Sequence, residues 1–307
     1  MIYTITLNPS VDYVMYTEEF ETGSLNRAHK TQKFAGGKGI NVSRVLQALD
    51  IPSVTLGFIG GYPGQMIEET LHSSGIETSF IKVEADTRIN VKIKGANETE
   101  VNAAGPYVDQ IHFQSLLKQL EQLTKDDMVI LAGSIPSSLS HDTYAQIAER
   151  IQSTGAQLIV DAEKSLIESI LPYHPLLIKP NLKELEDIFD VTISENKDVR
   201  YYAEQLIKKG AQSVLVSLGS AGALYVDHKQ AYQIKAPKGK VINTVGAGDS
   251  TVAGYIAGHV QRYKLNNILA LAIASGSATA FNEDLAQRDD IEQLKNQVNI
   301  TKLEAEG

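Results

Sequence analysis

The sequence predicts an α/β fold with a mostly parallel central sheet. Three patterns point to it. Short runs that are almost wholly apolar recur along the chain, as strands covered on both faces require. Amphipathic helical periods fill the gaps between them. Two further segments alternate apolar and polar residues, which suits a separate sheet with one face exposed.

In chain order, Tyr3–Leu7 reads as a strand and Asn8-Pro9 as the turn that ends it. Val11–Tyr16 is the first of the two exceptional segments. Val42, Val45, Leu46 and Leu49 fall on one face of a helix. Val54–Ile59 is the next apolar strand. In Thr87–Lys94, Ile89, Val91 and Ile93 alternate with Arg88, Asn90, Lys92 and Lys94, which predicts a buried apolar face and a polar one. Phe113, Leu116, Leu117 and Leu120 repeat the helical spacing. Met128–Ala132, Leu158–Val160, Leu176–Ile178 and Val214–Val216 complete the apolar strands. From about residue 250 the chain reads as largely helical. The two alternating segments are expected to build a small antiparallel platform from insertions at about 10–33 and 87–105, projecting as a lid. There is no repeat and no low-complexity linker, so residues 1–307 are expected to form a single domain.

Composition narrows the function. Lys plus Arg is 28 and Asp plus Glu is 37, a net charge of −9. Nucleic-acid binding needs a broad basic face, which this balance argues against. A small basic pocket inside an acidic shell is still allowed. The absence of cysteine excludes disulfides, thiolate metal sites and cysteine nucleophiles. No stretch reaches the ~20 apolar residues of a membrane span. The N-terminus lacks the basic and apolar parts of a signal peptide, so a soluble cytoplasmic protein is expected.

Four motifs carry chemistry. In Asn243–Ser250, the small residues Gly246, Ala247 and Gly248 allow a tight turn with unobstructed N–H groups, an anion site if a helix begins there. Asp249 would repel a bound phosphate, but it suits a base that takes the proton of a hydroxyl attacking that phosphate. A glycine turn with a capping aspartate is the plainer reading. Phe34–Val42 brings Gly36, Gly37, Lys38, Gly39 and Asn41 to a helix entrance. Lys38 and Asn41 could grip a phosphate or sugar hydroxyls. Asn181 and Glu184 share a helical face; they suit either a water-rich Mg²⁺ or a helix capping box. Ser217–Gly222 follows a buried strand, where open α/β sheets bind ligands. A turn joining two strands would look the same.

Taken together and in this order, the motifs resemble those of the ribokinase-like PfkB carbohydrate kinase family. The resemblance runs from Thr6–Asp12 to the helices after Asp249. Gly36–Asn41 looks like the first family signature and Thr244–Ser250 like the second. The TLNPSVD opening, Thr87–Lys92 and Ala132–Pro136 resemble the branch acting on sugar phosphates. The resemblance implies a three-layer α/β/α fold with a small antiparallel β lid. It implies transfer of the ATP γ-phosphate to a ketohexose phosphate, with Mg²⁺ as cofactor. Fructose 1-phosphate is the expected acceptor, giving fructose 1,6-bisphosphate; tagatose 6-phosphate and fructose 6-phosphate are the alternatives.

The residue roles follow from the same resemblance. Asp249 is the base, and Gly246, Ala247 and Gly248 present N–H groups to the transferred phosphoryl. Ser217, Leu218, Gly219, Ser220, Ala221 and Gly222 hold the nucleotide beside Gly248 and Asp249. Asn181 and Glu184 serve Mg²⁺. Asp12 accepts bonds from sugar hydroxyls, with Gly37, Lys38 and Asn41 in the substrate loop. Arg27, Lys38 and Arg88 are the candidate cations for the substrate's own phosphate. Asn90, Asn102 and Ser134 complete the expected site. Pairing into a homodimer through the lid is also implied. A dinucleotide-dependent oxidoreductase would share the fold class, but Leu7–Ser10 does not supply its glycine fingerprint. A non-catalytic sugar-phosphate sensor would not need Asp249.

Overall fold

A computed structural model describes residues 1–304. The chain opens with β1 (Ile2–Thr6), β2 (Ser10–Tyr16), β3 (Lys30–Gly36), α1 (Lys38–Ala48), β4 (Val54–Ile59) and α2 (Gly61–Ser73). The short strands β5 (Glu77–Thr78) and β6 (Ile81–Lys82) precede β7 (Arg88–Lys94) and β8 (Glu98–Val101). Next come α3 (Gln110–Leu120), β9 (Met128–Ala132), α4 (Thr143–Thr154), β10 (Gln157–Asp161), α5 (Lys164–Ile170) and β11 (Leu177–Ile178). After α6 (Leu182–Phe189) and α7 (Asn196–Lys208) lie β12 (Ser213–Ser217), β13 (Ala223–Asp227) and β14 (Ala231–Lys235). The last elements are α8 (Ala247–Val260), α9 (Leu265–Ala280), α10 (Arg288–Lys295) and β15 (Asn299–Leu303).

The large sheet runs β15-β14-β13-β12-β11-β10-β9-β1-β4-β5, with β6 also paired to β4. Ladders from β12 through β5 are parallel, and those joining β12, β13, β14 and β15 are antiparallel. Each central strand divides its residues between two cores. Val129 and Leu131 pack with α3–α7 on one side. Met128, Ile130 and Ala132 pack with α1, α8, α9 and α10 on the other. Both faces are thus dry, which is why these strands are rich in apolar residues on both sides. The result is the expected three-layer α/β/α arrangement. Among the described residues no helix is long and apolar enough to cross a membrane.

The chain from β1 goes one way to β4 and later resumes at β9 on β1's other side. This reversal opens a crevice at the carboxyl ends of the strands. A second sheet, β3-β2-β7-β8, stands over it. Its outer ladders are antiparallel, as expected of a lid, while the central β2–β7 ladder is parallel. These two strands continue from β1 and β6, which run in the same direction, so they emerge side by side in one sense.

One expectation is corrected here. The apolar side of β7 was expected to be the buried one. Instead Asn90 and Lys92 are 7% and 8% exposed, while Ile89 is 46% exposed. The polar face of the lid turns toward the crevice, and the apolar face turns out. The chain beyond residue 250 is largely helical, as expected, through Lys295, and then adds β15, which pairs with β14.

Candidate active site

A cavity of about 670 Å³ lies between the two sheets. Its floor is made by residues at or just past the carboxyl ends of parallel strands: Thr6, Gly133, Asp161, Lys179 and Ser217. The N-termini of α1 and α8 meet over this floor, and the lid supplies the remaining wall.

The glycine loop ends at the start of α8. Gly246 is the N-cap with φ 79°, a left-handed conformation that a side chain would strain. A Cβ there would also stand 2.5 Å from Leu285 Cδ2. Ala247 N–H donates to Thr244 O at 3.3 Å, whereas Gly248 and Asp249 occupy first-turn positions whose N–H groups have no partner within the helix. Those two amides and the helix dipole make an anion site.

Asp249 sits in that first turn and is buried, with 6% exposure. Asn41, in the first turn of α1, donates from Nδ2 to Asp249 Oδ2 at 2.8 Å. The two signature loops therefore meet through this one hydrogen bond. Burial, and next the negative charge of Asp161, push the Asp249 carboxyl up to about 6. Lys38, Asn41 and Lys179 pull the other way. A carboxylate near pH 6 is ionised at neutral pH and still basic enough to take a proton.

Asp161 lies at the end of β10 and is 1% exposed. Lys38 Nζ donates to its Oδ1 at 3.0 Å. Lys179 Nζ lies 3.3 Å from its Oδ2, an ion pair without hydrogen-bond alignment, so Oδ2 has no hydrogen-bond donor among the described residues. Burial works against ionisation of Asp161, but the two lysines outweigh it and hold its carboxyl below the usual range. For Lys38 likewise, burial works against the charge, and Asp161 followed by Asp249 outweighs it and raises its pKa. The floor is thus two carboxylates interleaved with two ammonium groups.

The lid end of the cavity centres on Asp12. Its Oδ1 accepts from Ser10 Oγ at 2.8 Å and from Asn90 Nδ2 at 3.2 Å. Asn90 Oδ1 in turn accepts from Ala103 N–H at 3.2 Å. Arg88 donates from Nη2 to Asn8 O and from Nη1 to Ala103 O, both at 3.0 Å. Its buried Nε has no partner among the described residues. Burial lowers the pKa of this guanidinium against the pull of Asp12.

Most expected site residues converge. Asp12, Gly37, Lys38, Asn41, Arg88, Asn90, Asn102 and Ser134 line the cavity. So do Asn181, Glu184, Ser217, Gly246, Gly248 and Asp249. Ala247 opens α8 without lining the cavity. Arg27 stands apart: it is exposed in the β2–β3 loop, which Asn26 closes on itself by hydrogen bonds to Glu21. Leu218, Gly219, Ser220, Ala221 and Gly222 do not line the cavity either. Leu218 N–H donates to Gly222 O at 2.8 Å, closing the turn that returns the chain into antiparallel β13.

Asn181 and Glu184 form the capping box of α6. Asn181 Oδ1 accepts from Glu184 N–H and Glu184 Oε2 from Asn181 N–H, both at 2.8 Å. Among the described residues, no group of three or more His, Cys, Asp and Glu side chains is arranged as a metal site. Glu184 and Glu163 still bring carboxylates to the cavity wall beside Asn181. That donor set fits a Mg²⁺ held mainly by water and phosphate oxygens.

Three residues escaped the sequence reading: Asp161, Lys179 and Lys92. The first two end apolar strands, where a charged residue is itself a signal for a ligand site. Lys92 lies on the polar face of β7, beside Asn90.

Residues 5–290 match the pfkB family of carbohydrate kinases. The chain belongs to this family. It is 44% identical to 1-phosphofructokinase of Bacillus subtilis, over 99% of this chain and all of that protein. It is 34% identical to D-tagatose-1-phosphate kinase of Bacillus licheniformis, over 99% of this chain and all of that one. A Staphylococcus aureus crystal structure, described provisionally as a phosphofructokinase, superposes with a TM-score of 0.90 at 55% identity, covering 100% of both chains.

Proposed function

We propose that this chain is an ATP-dependent kinase that converts fructose 1-phosphate to fructose 1,6-bisphosphate. The observation that carries the reading is Asp249, buried at the α8 N-terminus, held by Asn41 and facing the same cavity as Asp12. One end of the cavity offers an anion site, and the other offers polar groups suited to a sugar.

Asp12 and Asn90 bind sugar hydroxyls, with Asn102 and Ser134 beside them. Arg88 faces the acceptor's phosphate, while Lys38 stands at the other end beside Asp161; two of the five N–H donors of Arg88 serve backbone carbonyls. Asp249 takes the proton of the attacking hydroxyl. The hydroxyl oxygen bonds to the γ-phosphorus of ATP, and the bond from that phosphorus to the β–γ bridging oxygen breaks. Amides of Gly248 and Asp249, with Lys38 and Lys179, stabilise the charge that spreads over the phosphoryl oxygens. The proton stays on Asp249 until the product leaves. Mg²⁺, when bound near Asn181 and Glu184, supplies charge neutralisation for the ATP phosphates. The lid keeps competing water from the phosphoryl group.

The B. licheniformis relative favours a second acceptor, a tagatose phosphate. Turnover should therefore be compared on fructose 1-phosphate, tagatose 1-phosphate, tagatose 6-phosphate and fructose 6-phosphate. The highest kcat/KM is expected on fructose 1-phosphate; a higher value on another acceptor reassigns the substrate, and no ATP turnover on any of them removes the kinase reading.

The enzyme is proposed to work in the cytoplasm as a homodimer paired through its lids. Ile89 and Val101 on the lid strands are 46% and 60% exposed, an apolar surface that a second copy would cover. Sedimentation at micromolar concentration should give the mass of two chains, and a single-chain mass rejects the pairing.

A further inference from the structure

Lys92 lies in the middle of β7, directly opposite Glu100 on β8 and diagonal to Asp12 on β2. It is 8% exposed. Burying an ammonium group is costly unless its charge is neutralised and its donors are used. The charge is neutralised here: Nζ lies 3.6 Å from Asp12 Oδ2 and 3.7 Å from Glu100 Oε1. Both distances exceed hydrogen-bond length. Among the described residues, Nζ donates no hydrogen bond.

Asp12 shows the complementary condition. Its Oδ1 already accepts from Ser10 and Asn90. Its Oδ2 accepts no hydrogen bond among the described residues. A buried donor and a free acceptor therefore stand 3.6 Å apart, on two residues that both line the cavity. That separation matches two groups that share one small partner between them.

The chemistry of that partner is restricted. A phosphate or carboxylate would satisfy Nζ but meet Asp12 and Glu100 as like charges. A cation would satisfy Oδ2 and be repelled by Lys92. A hydroxyl both accepts and donates, so it satisfies both groups at once. We infer that Lys92 and Asp12 form a donor–acceptor pair that binds one hydroxyl of the sugar, which makes Lys92 a specificity-determining residue. Glu100 holds the ammonium from its far side, tying the edge strand of the lid to this contact. The inference rests on the proposal that Asp12 belongs to the sugar site.

The test measures steady-state kinetics of wild type, Lys92→Met, Lys92→Arg, Asp12→Asn and the Lys92→Met/Asp12→Asn double variant. The acceptors are fructose 1-phosphate and its singly deoxygenated analogues. Lys92→Met should raise KM for fructose 1-phosphate roughly 10- to 100-fold, the range for a lost hydrogen bond to a charged group. Its kcat and its KM for ATP should stay within about twofold, a split that a merely structural role would not produce. Lys92→Arg, which keeps the donor, should recover part of the loss and covers the case that Lys92→Met folds poorly. One deoxy analogue should be bound poorly by wild type and lose nothing further on Lys92→Met. The double variant should be no worse than Asp12→Asn alone.

Equal rises in KM for ATP and sugar phosphate would overturn the inference. So would additive losses with every deoxy analogue. If Asp12→Asn raises KM for the sugar phosphate and neither Lys92 variant does, the sugar-site proposal stands and the role of Lys92 fails alone. If Asp12→Asn leaves that KM unchanged, the sugar-site proposal fails and takes this inference with it.

Discussion

Replacing Asp249 by alanine is expected to lower kcat by about 10²–10⁴-fold, the usual contribution of a positioned general base. ATP affinity should change little, because the amides of the α8 first turn remain. Near-normal turnover would remove Asp249 from its role. The pH dependence gives a second reading. Burial and the Asp161 charge raise the Asp249 carboxyl from 3.8 to about 6. The base works when deprotonated, so kcat should fall as pH drops through about 6. The same shift has a consequence for stability. Folding raises this pKa, so the folded state holds the proton more tightly than the unfolded chain does. Above pH about 6 the ionised group therefore weakens the fold. Asp249→Asn should melt higher than wild type at alkaline pH, and the gain should vanish toward pH about 4. An unchanged melting temperature at pH about 8 would mean that burial of this carboxylate costs the fold nothing.

Asp161→Ala is expected to be the most damaging single change to stability in the cavity. It removes the partner of two ammonium groups, one of them on Lys179, which is 4% exposed. Breaking a buried ion pair from one side costs about 3–5 kcal/mol. For a chain of this size that lowers Tm by roughly 10 °C. The lysines depress the Asp161 pKa, so its contribution is complete above the unfolded value of 3.8 and is lost as pH falls through the lower folded value. The deficit of the variant should therefore be full at neutral pH and shrink in strong acid. Removing this charge also relieves Asp249, so the acid limb of kcat should move below pH about 6 in whatever fraction still folds. A melting temperature equal to wild type would show that Lys38 and Lys179 find solvent or other partners.

The architecture was legible because its strands are covered on both faces. Met128–Ala132 and Val54–Ile59 have no polar residue facing water, and such runs have few other uses in a soluble fold. The β13–β14 hairpin is hard to see in the sequence because the turn before it also fits a ligand loop. Serine and glycine at 217–222 serve a strand connection as readily as a nucleotide loop, and sequence alone does not separate the two. The sidedness of β7 was misread for a related reason. Alternation reveals two faces, but it does not reveal that the polar one covers a ligand cavity.

The site was legible where it sits on helix starts. Gly246 occupies a position where backbone geometry demands glycine, and Gly248 and Asp249 follow it within one helical turn, so the pattern is local. The pairing of Asn41 with Asp249 spans 208 residues, and that of Lys38 with Asp161 spans 123. No local pattern encodes either. Arg27 carries the charge that a phosphate site needs, but its exposed loop lies away from the cavity.

The hydrogen bond between α1 and α8 also ties activity to the order of synthesis. Everything proposed to hold the sugar, and most of what faces ATP, lies before residue 220. The base arrives only with α8, after every strand of the lid. The sheet face that α8, α9 and α10 cover stays open until they are made, so the cavity is completed by the same segment that carries the base. Sugar-phosphate binding and turnover should therefore return together during refolding, and both then report closure of the contact between α1 and α8.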